Sequence, residues 1–342
     1  MRPFVYERAR NAEDAVAAIR RHSRRDVPSV QADGQYIAGG TNMSDYMRLD
    51  VMRPDFVLDV NEIAGDNMRR IRVGDSGLRI GSLVRMAEAE DNETIQRDYP
   101  VIHDTMKLAA TRQIRNMASL GGNVLQRTRC DYFREVSFPC NKRDPGSGCA
   151  AINGFNRQHA VLGVSDSCIA RYPGDFGQAL VALDATVDIL GPNGPRTMRF
   201  ADLHKLPGDT PWDETELKPG ELILGYNIPA GPHTKRSRYV KVRDRDSYQY
   251  ALTAAAVALD MDGDTVRDVR IALGGVAAAP WRAHDAEEIL KGRTLDEDSA
   301  AEAADAAFQS AVTHQHNAYK VPIGKQTIIR ALFETRDMEA SR

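Results

Sequence analysis

All four cysteines of the 342-residue chain, Cys130, Cys140, Cys149 and Cys168, fall within 39 residues. Nine, eight and eighteen residues separate successive members, across a run broken by Pro139, Pro145, Gly146, Gly148 and Gly154, so the segment reads as a loop. Thiols gathered in one loop suit a metal site, and a polynuclear iron–sulfur cluster is the leading reading. A structural zinc site, two disulfides, and cysteines buried singly as small apolar groups are the alternatives. Zinc ligands usually come in pairs a few residues apart, and none of these gaps is that short. Phe133, Phe138 and Phe155 are the main large apolar residues here, so the loop can bury little surface to offset an ordering cost of roughly 1–2 kcal/mol per residue. Bonds to iron are expected to organise it. Arg127, Arg129, Lys142 and Arg143 are expected to favour thiolates and to offset the charge of a cluster.

A second chemistry-bearing pattern is a pair of twin glycines. Gly39-Gly40-Thr41-Asn42 follows a short expected strand at Tyr36-Ile37-Ala38, where α/β proteins place phosphate-binding loops. Ser119, Gly121, Gly122 and Asn123 read as a turn after the end of a helix, about eighty residues later and just ahead of the cysteines. One such turn is weak evidence, but two of them suit a diphosphate with two ends to hold, because glycine lets backbone N–H groups approach a ligand. Neither matches G-x-G-x-x-G or G-x-x-x-x-G-K-[ST], which disfavours a Rossmann nicotinamide site and a P-loop hydrolase.

Periodicity places the elements around these patterns. Asn11 can cap a helix over 12–22, with Ala12, Ala15, Val16 and Ile19 on one face. A strand is expected at 56–60, a hairpin pairing Ile71 and Val73 with Leu78 and Ile80 about Gly74-Asp75-Ser76-Gly77, and helices near 83–90 and 100–111. An apolar face of Phe176, Leu180 and Leu183 leads into a strand at 186–190. Beyond Pro229-Ala230-Gly231-Pro232 the pattern changes to strands at 238–243, 251–259 and 265–273 and helices near 284–292, 298–313 and 323–333. Asp260 to Asp264 imitates the start of a calcium loop, but its twelfth position is Ile271, so it reads as a hairpin turn. His314 and His316 lie two apart on an expected helix and so point to different faces, unlike a metal pair.

Composition bounds the rest. At 42% hydrophobic and 27% charged residues the chain is an ordinary globular protein, and its net charge of −3 gives no basic field for nucleic acid. No Ser/His/Asp or Cys/His arrangement supports hydrolase chemistry. No apolar run approaches the ~20 residues of a membrane span, and the first ten residues lack the apolar core of a secretory signal. Free thiols suggest a reducing compartment, or export of the folded chain with a signal-bearing partner.

Over nearly its whole length the sequence resembles the FAD-binding medium subunit of the molybdenum hydroxylases, the xanthine dehydrogenase and carbon monoxide dehydrogenase family. Ala38 through Asn42 is similar to that family's first FAD loop and Thr111 through Asn123 to its second, while Lys241 precedes Arg245, Ser247 and Tyr248 much as in family members. The resemblance implies an α+β chain. A two-part FAD-binding domain of the vanillyl-alcohol-oxidase-like (PCMH) type would cover 1–228, in subdomains of about 1–55 and 56–228. A C-terminal α/β domain of the CO dehydrogenase flavoprotein type would cover 229–342. FAD would be held by the stretch Tyr36, Ile37, Ala38, Gly39, Gly40, Thr41, Asn42 and Met43. Thr111, Ser119, Gly121, Gly122 and Asn123 would complete the site, with Asp175, Ile223 and Lys241 as further contacts.

Most members of the family lack the cysteine loop. Here the four cysteines, with Asn141 through Gly148 between them, resemble the FAD subunits of bacterial periplasmic aldehyde oxidoreductases, which carry an added 4Fe-4S cluster. The resemblance therefore implies a 4Fe-4S cluster in a loop at 127–170, and a heterotrimer with a large molybdenum-cofactor subunit and a small 2Fe-2S subunit. Aldehyde and water would become carboxylic acid on the large subunit, leaving this chain no catalytic residue for the substrate, and electrons would leave through its FAD to an external acceptor. The same kind of loop occurs in 4-hydroxybenzoyl-CoA reductase-type enzymes, and a zinc-stapled assembly subunit is the reading from another class. A docked electron-transfer subunit is also expected to expose an apolar patch.

Overall fold

The computed structural model describes residues 1–23, 27–63 and 66–338, arranged about three sheets. The first is parallel, with strand order β1-β3-β2 from β1 (Val5–Arg8), β2 (Gly34–Ile37) and β3 (Phe56–Asp59). Parallel neighbours need crossovers, and α1 (Ala12–Arg21) and α2 (Met43–Arg48) lie in the two connections. Asn11 caps α1 as expected, its side chain accepting the Asp14 N–H at 2.7 Å, and Ala15, Val16, Ala18 and Ile19 are buried against the sheet. β3 is the central strand of this layer, so the division expected at residues 55 and 56 cuts through a sheet instead of separating two subdomains.

The second sheet is antiparallel and has the order β4-β5-β8-β6-β7. Its strands are β4 (Ile71–Gly74), β5 (Gly77–Gly81), β6 (Thr186–Gly191), β7 (Gly194–Arg199) and β8 (Leu222–Pro229). The hairpin of β4 and β5 turns at Asp75 and Ser76. Between β5 and β6 run α3 (Met86–Asp91), α4 (Glu93–Asp98), α5 (Pro100–Lys107), α6 (Arg112–Met117), α7 (Leu120–Val124), α8 (Asp131–Arg134) and α9 (Phe176–Ala182). Met86, Ile95, Ile102, Leu120, Phe176 and Leu180 join Leu78, Ile80, Val187, Ile189 and Tyr226 of the sheet in one core. The expected helix at 100–111 ends at Lys107, and the backbone at Ala110 takes a positive φ of 48° to enter α6.

The third sheet holds β9 (Ser237–Val242), β10 (Thr253–Asp262), β11 (Thr265–Gly274) and β12 (Trp281–Arg282) in the order β12-β11-β10-β9. β10 is covered on both faces: Ala254, Ala256 and Ala258 enter the core of the second sheet, while Ala255, Val257 and Leu259 face the other way. That second face is closed by α10 (His284–Leu290), α11 (Glu297–Ala307) and α12 (Lys320–Arg336). Asp262 pairs with Thr265, so the acidic run here is a hairpin turn as expected. The helix expected over 298–313 stops at Ala307, because the Val312 N–H bonds to the Val161 carbonyl at 2.8 Å and draws the chain away. His314 and His316 therefore lie in a loop, where their N–H groups donate to the side-chain oxygens of Asn317 and Asn156.

Candidate functional site

The ends of β2, α7 and β9 converge on a cleft of about 1580 Å³, larger than the ~300–1,000 Å³ usual for a small ligand. Tyr36 through Met43, Ser119, Gly121, Gly122, Asn123, Asp175, Ile223 and Lys241 all line it. Thr111 is outside the lining: its hydroxyl is used as the N-cap of α6, accepting from the Ile114 N–H.

The glycines are also needed for packing and for backbone conformation. A Cβ on Gly39 would stand 1.9 Å from the Met117 carbonyl oxygen, and one on Gly121 would meet Ser82 at 3.0 Å. Both are needed to let chain segments pack together across the cleft, whereas Gly40 is needed for its φ of +71°. The second pair is a short helix, α7, and not a turn, because Ser119 caps it by accepting from the Gly122 N–H at 3.2 Å. Leu120 and Gly121 donate to the carbonyls of Val84 and Ser82, so this element has few amides to spare. The amides of Gly40, Thr41 and Asn42, by contrast, meet no acceptor among the described residues. Two buried side-chain atoms on the same lining, Ser82 Oγ and Asn123 Oδ1, are also without a partner. Unmatched donors and acceptors facing one cleft fit a ligand rich in phosphate, hydroxyl and ring polar groups such as FAD. Ser82 was missed from sequence, where its place directly after the expected strand at Leu78 and Ile80 was the available signal.

At the far wall Lys241 donates to Asp175 at 2.8 Å and to the Leu108 carbonyl at 3.0 Å, with its side chain only 1% exposed. The Tyr239 hydroxyl donates to the other Asp175 oxygen at 2.6 Å, and burial together with that carboxylate raises its pKa well above the ordinary phenol value. Strand alternation puts Tyr239 and Lys241 on one face of β9, so a single carboxylate at the start of α9 fixes both. Two of the three Lys241 donors are thus occupied at the wall of the cleft.

The cysteine loop packs beside the first glycine turn. Cys140 and Phe133 share a core with Met43, Tyr46 and Met47 of α2, and Cys130 lines the cleft itself. The four cysteines are free, and Cys140 and Cys149 face each other as an antiparallel bridge pair. His159 Nε2 lies 3.1 Å from Cys130 Sγ. Burial raises the pKa of Cys130, Cys140 and Cys168, and each of these thiols is raised further by its neighbours among the four. The four expected cations do not outweigh that. Lys142 pulls Cys168 down and Arg143 pulls Cys140 down, but Arg127 is paired with Glu214, and Arg129 is bonded to Asp45 and Asn42.

Arg143 has another role. Its guanidinium collects the carbonyls of Tyr132 (3.0 Å), Phe133 (2.8 Å), Glu135 (3.3 Å), Val136 (3.3 Å) and Phe138, and so staples the first half of the loop. A lysine cannot span that fork. Arg143→Lys is expected to cost about 3 kcal/mol or more by leaving buried carbonyls unpaired, and to expose residues 132–138 to limited proteolysis. A digestion pattern unchanged from the wild type would remove this role.

His204 sits under α7 with Nε2 2.9 Å from the Val124 carbonyl and Nδ1 without a partner. Burial lowers its pKa from 6.5 to about 4. A folded-state pKa below the unfolded one means that the fold is favoured above pH 6.5 and loses that advantage as pH falls toward 4, by about 3 kcal/mol in all. His204→Phe is therefore expected to flatten the acid side of the melting-temperature profile between those values.

Residues 2–231 match the family described as the FAD binding domain in molybdopterin dehydrogenase, and residues 238–335 match the CO dehydrogenase flavoprotein C-terminal domain. The chain belongs to this family: it is an FAD-binding medium subunit of a molybdenum hydroxylase, an oxidoreductase subunit. It is 42% identical to the aldehyde oxidoreductase FAD-binding subunit PaoB of Escherichia coli (strain K12), over 98% of this chain and 99% of that one. The glyceraldehyde dehydrogenase medium chain of Sulfolobus acidocaldarius is 24% identical over 86% of this chain and 83% of its own. In fold, the carbon monoxide dehydrogenase of Hydrogenophaga pseudoflava matches with a TM-score of 0.74 over 98% of both chains, at 23% identity. No helix among the described residues is long and apolar enough to cross a membrane.

Proposed function

We infer that this chain is the electron-transfer subunit of a molybdenum-dependent aldehyde oxidoreductase, carrying FAD in the cleft and a 4Fe-4S cluster on Cys130, Cys140, Cys149 and Cys168. The observation that carries the reading is that Cys130 and both glycine elements line the same cleft, so a loop with four free thiols abuts the flavin site. The likeness to PaoB over the whole chain supports aldehyde as the substrate class. The wide spacing of the four cysteines favours a polynuclear cluster over a zinc staple, whose ligands come in close pairs.

Bound FAD would exchange electrons singly with iron–sulfur centres and in pairs with an acceptor. The chain's own part is to hold and shield. The amides of Gly40, Thr41 and Asn42 receive the diphosphate, Ser82 Oγ and Asn123 Oδ1 take polar groups now without partners, and the buried Asp175–Lys241 pair stiffens the far wall. FAD-binding residues 1–228 and the C-terminal unit 229–342 each supply a wall. Substrate oxidation is assigned to a large molybdenum-cofactor subunit and electron delivery to a small 2Fe-2S subunit. The exposed side chains of Val136, Phe138 and Phe155 on the cysteine loop offer such partners an apolar patch.

A visible spectrum with iron and flavin analysis tests this. Flavin bands with a broad iron–sulfur shoulder and about four irons per flavin are expected; a flavoprotein without iron removes the cluster from the assignment.

A further inference from the structure

The chain from His204 to Gly220 folds as a strap over the cleft. Its two limbs are joined where the Lys205 N–H meets the Glu214 carbonyl at 3.0 Å and the Glu216 N–H meets the Leu203 carbonyl at 2.9 Å. Thr210, Trp212, Glu214, Thr215 and Leu217 line the cleft. At its far end the strap is tied to the first glycine element, since the Tyr36 hydroxyl donates to the Gly220 carbonyl at 3.0 Å.

Its other ties run to the cysteine loop. Glu214 is ion-paired with Arg127, which follows α7, and accepts from Lys142 Nζ at 3.2 Å, between Cys140 and Cys149. The same ammonium donates to the Pro211 carbonyl at 2.8 Å, and Ser165 Oγ, three residues before Cys168, donates to the Gly208 carbonyl at 2.7 Å. Arg127, Lys142 and Glu214 are each less than a fifth exposed at the side chain, so the carboxylate serves two cations that are largely withdrawn from water. A buried ion group that loses one member is strongly destabilised.

We propose that Glu214 is a positioning residue that latches the cleft-covering strap to the cysteine loop and thereby couples retention of FAD to retention of the metal cluster. The proposal rests on the reading of the loop as a cluster site. Coupling of two sites through one latch is reciprocal: flavin in the cleft holds the strap and slows loss of iron, and an intact loop slows loss of flavin.

The test uses the purified full-length chain. Iron transfer to a chelator is timed with flavin bound and after flavin is stripped, in wild type and in Glu214→Gln. Flavin is expected to slow iron loss by at least about tenfold in the wild type and to give no protection in the variant. In parallel, flavin release on dilution should be faster in Glu214→Gln and in Lys142→Met. The double variant should be no faster than the faster single, as members of one network are non-additive. Equal protection by flavin in wild type and Glu214→Gln overturns the proposal, as do single-variant effects on flavin release that multiply. A wild-type chain without iron removes the cluster reading separately; the flavin-release arm then decides whether Glu214 latches the strap. A general loss of folding would lower melting temperature without the loss of additivity.

Discussion

A Gly39→Ala protein is expected to leave purification with little flavin, although the change adds one carbon. The new Cβ would stand 1.9 Å from the Met117 carbonyl oxygen, 2.6 Å from its carbon and 3.1 Å from Ala118 Cα. All three are backbone atoms, which cannot swing aside as the end of a side chain can. The first glycine turn must therefore move away from the segment leading into α7, and these are the two walls of the cleft. Overpacking of this kind costs about 1–3 kcal/mol and more where backbone has to shift, a sizeable part of a typical ~5–15 kcal/mol of stability. Gly40→Ala provides the scale. Its Cβ would enter ordinary contact distance, 3.5 Å from Ile37 Cδ1, so that the penalty is mainly the positive φ of 71°, about 1–2 kcal/mol. Flavin absorbance per chain should fall in the order wild type, Gly40→Ala, Gly39→Ala. A Gly39→Ala chain with full flavin would show that close approach of the two walls is not what shapes the site.

Cys140→Ser is expected to remove most of the iron while still binding flavin, which it should release faster than the wild type does. Cys140 is 7% exposed and shares a core with Met47, Tyr46 and Phe133, with Cys149 opposite it in the bridge pair. A hydroxyl is a poor substitute for a thiolate on iron. None of the unpaired amides or side-chain atoms lining the cleft changes. Because Arg143 holds residues 132–138 through five carbonyls, the variant should also keep that half of the loop resistant to protease. Cys130→Ser, Cys149→Ser and Cys168→Ser should behave alike, and unchanged iron in any of them would take that cysteine out of the ligand set.

These two expectations mark how far the sequence reaches. Two glycine pairs at the right ends of expected elements, and four cysteines in a proline- and glycine-rich run, are statements about residue type and spacing, and both are legible in the order of residues alone. So are the capped helix after Asn11, the hairpin about Asp75 and Ser76, and the hairpin at Asp262, since caps and tight turns are decided by neighbours in the chain. Periodicity fails where a distant group intervenes: α11 ends early because Val161 captures Val312, and the twin glycines at 121 and 122 form a helix because Ser119 and Ser82 take their amides.

The sequence by itself determined the family resemblance, the candidate residues and the order in which they come. Only the tertiary structure decided what each one does. Gly39 is small for the sake of Met117, seventy-eight positions away, and Thr111 is a cap while Ser82 faces the cleft. The cysteine loop, expected to bury little, in fact sinks Phe133, Val161, Leu162 and Ile169, and is held further by Arg143 within it and by Glu214 from the strap. The reason is physical. Propensity, capping and turn chemistry act over a few residues and can be read in line. Close backbone approach, unmatched polar atoms and shared counter-charges exist only between segments that folding brings together.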